Sequence, residues 1–185
     1  MKLKNDGIYS IDDAYRNLDN INLWIVNSDT KTSIILGLIG VLFTIIFSNA
    51  KFLILLIKLI NEIFDNIMFS DIIYLVIMIF SIVLFINGIY KLILVLIPKL
   101  KLNINNEKSI LYFESIYSFE SVNDFKHKVY HIKKVELLDD LLNQIYINSN
   151  ICSKKFNNYN AGLRSVTYGT LIFSIFYVVG ILVYL

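Results

Sequence analysis

Apolar and small residues recur through the first part of the chain at Ile11, Ala14, Leu18, Ile21, Ile25, Ser28, Thr32, Ile35, Ile39, Leu42 and Ile46. The gaps alternate between three and four over five heptads. That spacing predicts one continuous helix whose seam faces a partner. No Gly or Pro occurs between Ser10 and Leu36 to stop it. Ser10-Ile-Asp-Asp13 has the form of a capping box and sets the start. The junction is Trp24-Ile-Val-Asn-Ser-Asp-Thr-Lys-Thr-Ser33, where a polar amphipathic helix passes into an uncharged one. Asp29 and Lys31 sit at that edge. Two positions apart on a helix, they do not face each other, so each needs its own partner.

Three stretches, uncharged over 32–49, 72–90 and 166–185, are long enough to cross a bilayer, which takes about 17–25 residues. The first is 32–49, where Gly37 and Gly40 allow a neighbour to approach closely or are ordinary helix glycines. The second is 72–98, with Lys91 snorkelling and Pro98 ending the helix. Asn87 near its inner end reads as a hydrogen-bond donor to another helix, with pore lining as the rarer alternative. The third is 163–185. Between the first two, 50–71 mixes Lys51, Lys58, Glu62, Asp65 and Asp71 with Phe52, Leu55, Leu56, Leu59, Ile60 and Ile63 on one face. An amphipathic segment on the far membrane surface and a projecting extension of the first helix fit it equally.

Residues 99–162 form the soluble part, with 1–31 as its N-terminal helix. Asn103–Asn106 reads as a turn and Glu107–Phe119 as a short aromatic helix. Ser121-Val-Asn-Asp124 starts another helix, with a break near Ile132–Val135. A second seam, Leu142, Ile145, Ser149, Cys152, Phe156, Tyr159, Leu163, Val166 and Thr170, runs straight into the third span. The expected fold is an all-α integral membrane protein. It has three transmembrane helices and a cytoplasmic helical bundle built from helix extensions.

Composition agrees. The 185 residues are 56% hydrophobic and 17% charged, where a soluble domain is about 25% charged. Asp6, Asp12 and Asp13 occupy the place of a signal-peptide core, so none is expected. The net charge of +2 says little, but its distribution sets orientation. Lys and Arg number four before the first span, two in the following loop and eleven from Lys91 to Arg164. Such a bias places the N-terminus and the soluble part in the cytoplasm and the C-terminus outside.

Candidate chemistry is sparse. His127 and His131 share a helix face at the spacing of a zinc pair, but Lys128 stands where a metalloprotease has its Glu and no third ligand is near. Glu136, Asp139 and Asp140 read as a solvated face, and Cys152 as a small apolar residue on the seam. No phosphate-cradling glycine loop or Ser/His/Asp set is recognisable, so no enzyme, metal site or cofactor is expected. Lys126, Lys128, Lys133, Lys134, Lys154 and Lys155 lie among Tyr112, Phe113, Tyr117, Phe125, Tyr130, Tyr146 and Phe156. Cations beside stacking surfaces suit an anion carrying a flat ring. Composition alone favours the plainer reading, in which the lysines meet lipid heads or water and the rings pack the bundle.

Three stretches carry a resemblance. They are Trp24 to Thr32 with its D-x-K core, Leu111-Tyr-Phe-Glu-Ser-Ile116, and Asp140-Leu-Leu-Asn-Gln-Ile-Tyr146 followed by Lys155-Phe156. Together with the span order they resemble the Pycsar transmembrane effector family over about Asn17–Leu185. Ser28 and Thr32 depart from the usual Ala, and Glu114 from the usual Gly. The resemblance implies an anti-phage effector of the bacterial inner membrane, activated by cyclic CMP or cyclic UMP from a partner nucleotide cyclase. It implies a homo-oligomer that impairs the bilayer and causes abortive infection, with no nucleic-acid partner. It points to Asp29, Lys31, Asp140, Gln144 and Lys155 as the ligand-binding or coupling residues, with a structural role in holding the stalks together as the alternative for each. A membrane anchor recruiting a partner, or an effector answering a cyclic oligonucleotide, remain the alternatives.

Overall fold

The computed structural model describes residues 9–48, 53–55, 57–58, 60–61, 68–97 and 108–184. The helices are α1 (Ile11–Phe47), α2 (Phe69–Leu96), α3 (Phe113–Tyr117), α4 (Val122–His131) and α5 (Lys134–Tyr184). Residues 53–55, 57–58 and 60–61 are helical as well, and no strand occurs among the described residues. Helices α1, α2 and α5 are each long and apolar enough to cross a membrane. The chain divides into two compact units. One takes residues up to Asn27 together with Pro98–Lys154, the other Ser28–Ile97 together with Lys155–Leu185. Helices α1 and α5 are each unbroken through the division.

Helix α1 starts at its capping box. Ser10 N donates to Asp13 Oδ2 at 2.9 Å and Asp13 N donates to Ser10 Oγ at 3.2 Å. The Ser10 hydroxyl donates to the same carboxylate at 2.6 Å. The hydroxyl bond first, then the backbone bond, hold the Asp13 carboxyl below the usual carboxylate range, with the Arg16 charge adding to them. Every seam position from Ile11 to Ile39 is buried or half-buried. Ser28 and Thr32 are enclosed, and the Thr32 hydroxyl donates to the Ser28 carbonyl at 2.7 Å. The seam stops there: Leu42 is exposed, and the Ile46 side chain lies outside the described residues.

The second seam holds over most of its expected line, with Ile145, Cys152, Phe156, Tyr159, Leu163, Val166 and Thr170 buried or half-buried. Leu142 and Ser149 are exposed, and Leu141, Gln144, Lys155, Gly162, Gly169 and Gly180, which lie off that line, are buried as well. The expected line passed over Gln144 and Lys155 as polar, yet these are the residues that α5 turns inward.

In the first unit, Asn148 Nδ2 on α5 donates to Asn22 Oδ1 on α1 at 2.8 Å. Ala14 and Leu141 are fully buried. The expected aromatic helix is shorter than Glu107–Phe119, for residues 108–112 are held in turns by side chains. Helix α4 is N-capped by Ser121, whose hydroxyl accepts from Asp124 N at 3.1 Å. It ends at His131, with Ile132 extended, and α5 starts two residues later.

In the second unit, Ile39, Leu92 and Val166 form a core with Ile35, Phe85, Ile89 and Tyr159 around it. Tyr74 and Met78 form another with Phe173 and Phe176, and the Tyr74 hydroxyl donates to the Phe176 carbonyl at 2.8 Å. Helices α2 and α5 meet backbone to backbone. A Cβ on Gly88 would lie 2.6 Å from Val166 N, and one on Gly169 would lie 2.9 Å from Phe85 N. Gly37 and Gly40 are not used in this way, since a Cβ on either meets nothing within 4 Å. Asn87 is exposed and makes no hydrogen bond among the described residues, against the expectation of an interhelical bond. Asp71 belongs to the first turn of α2, where a carboxylate suits the helix dipole. Leu55 is fully buried beside Gly180. Helix α2 stops at Leu96, with Ile97 extended as a residue before proline prefers. Pro98, the turn at Asn103–Asn106, Glu107, and Lys51, Phe52, Leu56, Leu59, Glu62, Ile63 and Asp65 lie outside the described residues.

Candidate functional site

The five sequence-derived positions separate into two ties and one free side chain. In the first unit Asp140 holds the segment before α3. Its Oδ2 accepts from Ser109 Oγ at 2.9 Å and from Ile110 N at 3.0 Å. Ser109 Oγ in turn accepts from Leu111 N at 3.1 Å and Tyr112 N at 3.2 Å, and from Gln144 Nε2 at 3.5 Å. Ser109 N donates to Ser115 Oγ at 2.7 Å. Short hydroxyl side chains bonding to nearby backbone amides compete with helix, which explains the late start of α3. Glu114 fits that turn, accepting from the Tyr112 hydroxyl at 3.0 Å. Burial first, then the bond to Glu114 and its charge, push the Tyr112 phenol above its ordinary range.

Asp140→Ala removes both bonds from Asp140 to the segment. Hydrogen bonds to a charged group contribute about 1.5–3 kcal/mol, so exchange at the Ile110 amide is expected to speed up by about tenfold or more. Amide exchange followed by mass spectrometry reads this directly, and unchanged protection would remove Asp140 from its role.

In the second unit Lys155 joins three helices. Its Nζ donates to Asp29 Oδ1 on α1 at 2.5 Å and to the Val95 carbonyl on α2 at 2.6 Å. The Lys155 side chain is 6% exposed and that of Asp29 37%. Val95 lies in the last turn of α2, where helix carbonyls lack an intrahelical partner and a cation is favoured. Small residues make room for α1 here: Ser28 and Thr32 flank Asp29, and both are buried. Lys31 is exposed and joins neither tie.

The sequence did not single out Ser109, the Val95 carbonyl or the glycine contacts. A carbonyl leaves no mark in a sequence. The glycine contacts left one, since Ser81 and Gly88 on α2 and Gly162 and Gly169 on α5 are each seven apart. The His127 and His131 rings stack at 4.2 Å, with His131 Nδ1 donating to the His127 carbonyl at 2.8 Å. Among the described residues no group of three potential metal ligands comes together.

The first unit also exposes aromatic rings and cations. Tyr117 is 89% exposed and Tyr130 77%. Lys126, Lys133 and Lys134 are exposed as well. Phe119 is taken, with Phe125 packed edge-on and Lys108 Nζ 4.9 Å from its ring centre.

Three helices able to span a membrane, two of them continuing into a polar helical unit, define an all-α integral membrane protein. Its two polar ties include Asp29, Asp140, Gln144 and Lys155, four of the five residues to which the resemblance pointed. The Pycsar effector protein domain matches residues 13–183. The chain is also 35% identical to the Pycsar effector protein GmPycTM of Gulbenkiania mobilis, with 89% of each chain covered. The chain belongs to the Pycsar effector family of anti-phage defence. No solved structure matches it.

Proposed function

We propose that this chain is a ligand-gated membrane effector. In this reading a cyclic pyrimidine mononucleotide, cyclic CMP or cyclic UMP, made by a partner cyclase, binds the polar unit. The protein then impairs the inner membrane as a homo-oligomer, without catalysis, and the cell dies before phage matures. The N-terminus and polar unit face the cytoplasm and the C-terminus faces outward, following the Lys and Arg bias. The match to the family over 13–183 is the observation that carries the reading.

The geometry supports it in two ways. Helices α1 and α5 run unbroken from the polar unit into the apolar one, so repacking in the first has a stiff route into the second. Exposed Tyr117 and Tyr130 offer faces to a pyrimidine ring, and exposed Lys126, Lys133 and Lys134 offer charge to its phosphate. Asp29, Asp140, Gln144 and Lys155 are engaged with protein groups, which favours coupling over direct ligand contact for them. The ligand must bind one packing better than the other to shift the balance. The spans hold few polar residues, which favours disruption by assembly over a lasting aqueous pore.

The test is membrane potential in cells expressing the protein with a cyclase specific for one nucleotide. Depolarisation is expected with one nucleotide and not without it. No change with either leaves the passive anchor as the better reading, and a response only to a cyclic oligonucleotide moves the effector to a different signal.

A further inference from the structure

The chain passes between its two units three times: after Asn27, after Ile97 and after Lys154. Asp29, Val95 and Lys155 each lie within two residues of one of these crossings. They are also the three groups joined at one ammonium, with Lys155 Nζ bonded to Asp29 Oδ1 and to the Val95 carbonyl. A backbone movement that travels from one unit to the other therefore enters the second unit at residues already tied to each other. We propose that Lys155 is a coupling collar, which makes the three crossings move as one body and so lets a signal in the polar unit reach all three spans together. The gating part of this proposal rests on the function proposed above; the mechanical part does not.

First, Lys155 is buried and its bonds are charge-assisted, so the tie is short and directional. A loose surface pair would be screened and mobile. Second, its two acceptors differ in kind. A carboxylate on α1 supplies the countercharge, and a last-turn carbonyl of α2 supplies position. An apolar side chain could fill the same space but would hold neither helix against sliding. Third, the surroundings are close-packed. Leu92 and Val95 are fully buried on α2, and Ser28 and Thr32 are enclosed on α1. The collar therefore sits in packing that has few discrete arrangements and does not deform continuously.

The experiment compares full-length wild type, Lys155→Met, Asp29→Asn/Lys155→Met and Lys155→Arg in lipid nanodiscs and in cells. Met keeps the length and apolar stem of Lys, and the double variant leaves no unpaired charge, so folding is preserved. Arg can still donate to a carboxylate and a carbonyl together. Amide exchange is read in residues 28–32, 93–97 and 155–159. In Lys155→Met and in the double variant, protection is expected to fall about tenfold in all three segments together, and Lys155→Arg is expected to restore most of it. A fall confined to 155–159 overturns the collar.

In cells, the two Met variants are expected to lose at least tenfold in nucleotide-triggered depolarisation. Nucleotide binding to the purified variants should stay within twofold of wild type. A wild-type response, or leakage without nucleotide, overturns the coupling role. If the wild type itself responds to no nucleotide, the gating reading fails, while the exchange result still decides the collar.

Discussion

Asp29→Ala is expected to destabilise the protein by about 3–5 kcal/mol, and Lys155→Met by no more than about 1–2 kcal/mol, although the two remove the same ion pair. The asymmetry comes from burial. The Lys155 side chain is 6% exposed and that of Asp29 37%. Removing Asp29 leaves an ammonium enclosed with a single carbonyl acceptor, and an uncompensated buried charge is costly. Removing Lys155 leaves a carboxylate that water already reaches, while the new thioether keeps the packing against Val95. The remaining loss is the bond to the Val95 carbonyl at 2.6 Å. Reversible unfolding in mixed micelles, run at one lipid-to-detergent ratio for all variants, gives the order. If Lys155→Met proved the more damaging, Asp29 would be the desolvated partner and the collar would have to be redrawn around it.

That asymmetry also explains how the site could be half read from sequence. Seam logic located α1 well because its inward line, Ile11 through Ile39, is apolar or small throughout, including Ser28 and Thr32. On α5 the same logic missed at Leu142 and Ser149, which are exposed, and left out part of the buried face. There the inward line contains Gln144 and Lys155, whose burial depends on partners distant in sequence: Ser109 for Gln144, Asp29 and Val95 for Lys155. Periodicity counts hydrophobicity, and a paired lysine buries against that count. The motif resemblance pointed to Asp29, Asp140, Gln144 and Lys155 without asking which way they face, and each bonds to a protein group. It also selected Lys31, which the structure leaves exposed and outside both ties. The late start of α3 had a different cause. Ser109 and Ser115 offered the backbone local bonds that a helix pattern does not register.

The glycines divide into two classes that mutation will separate. Gly88→Ala and Gly169→Ala are expected to destabilise by about 1–3 kcal/mol each, despite the better helix propensity of Ala. At Gly88 the new methyl would lie 2.6 Å from Val166 N, and at Gly169 2.9 Å from Phe85 N and Ser81 O. These are backbone atoms, which no rotamer change moves aside, so α2 and α5 must separate. Gly37→Ala and Gly40→Ala meet nothing within 4 Å. They are expected to be neutral or to stabilise α1 by up to about 1 kcal/mol, the propensity gain alone. Unfolding in micelles reads the first pair against the second. Depolarisation in cells adds a discriminating result. If Gly37→Ala or Gly40→Ala folds as well as wild type yet fails to depolarise, the open glycine face of α1 is closed in function by another surface. A second copy of the chain is the partner that the proposed assembly supplies, because small residues let membrane helices approach closely. If both variants depolarise normally, that face meets lipid, and assembly must use another surface.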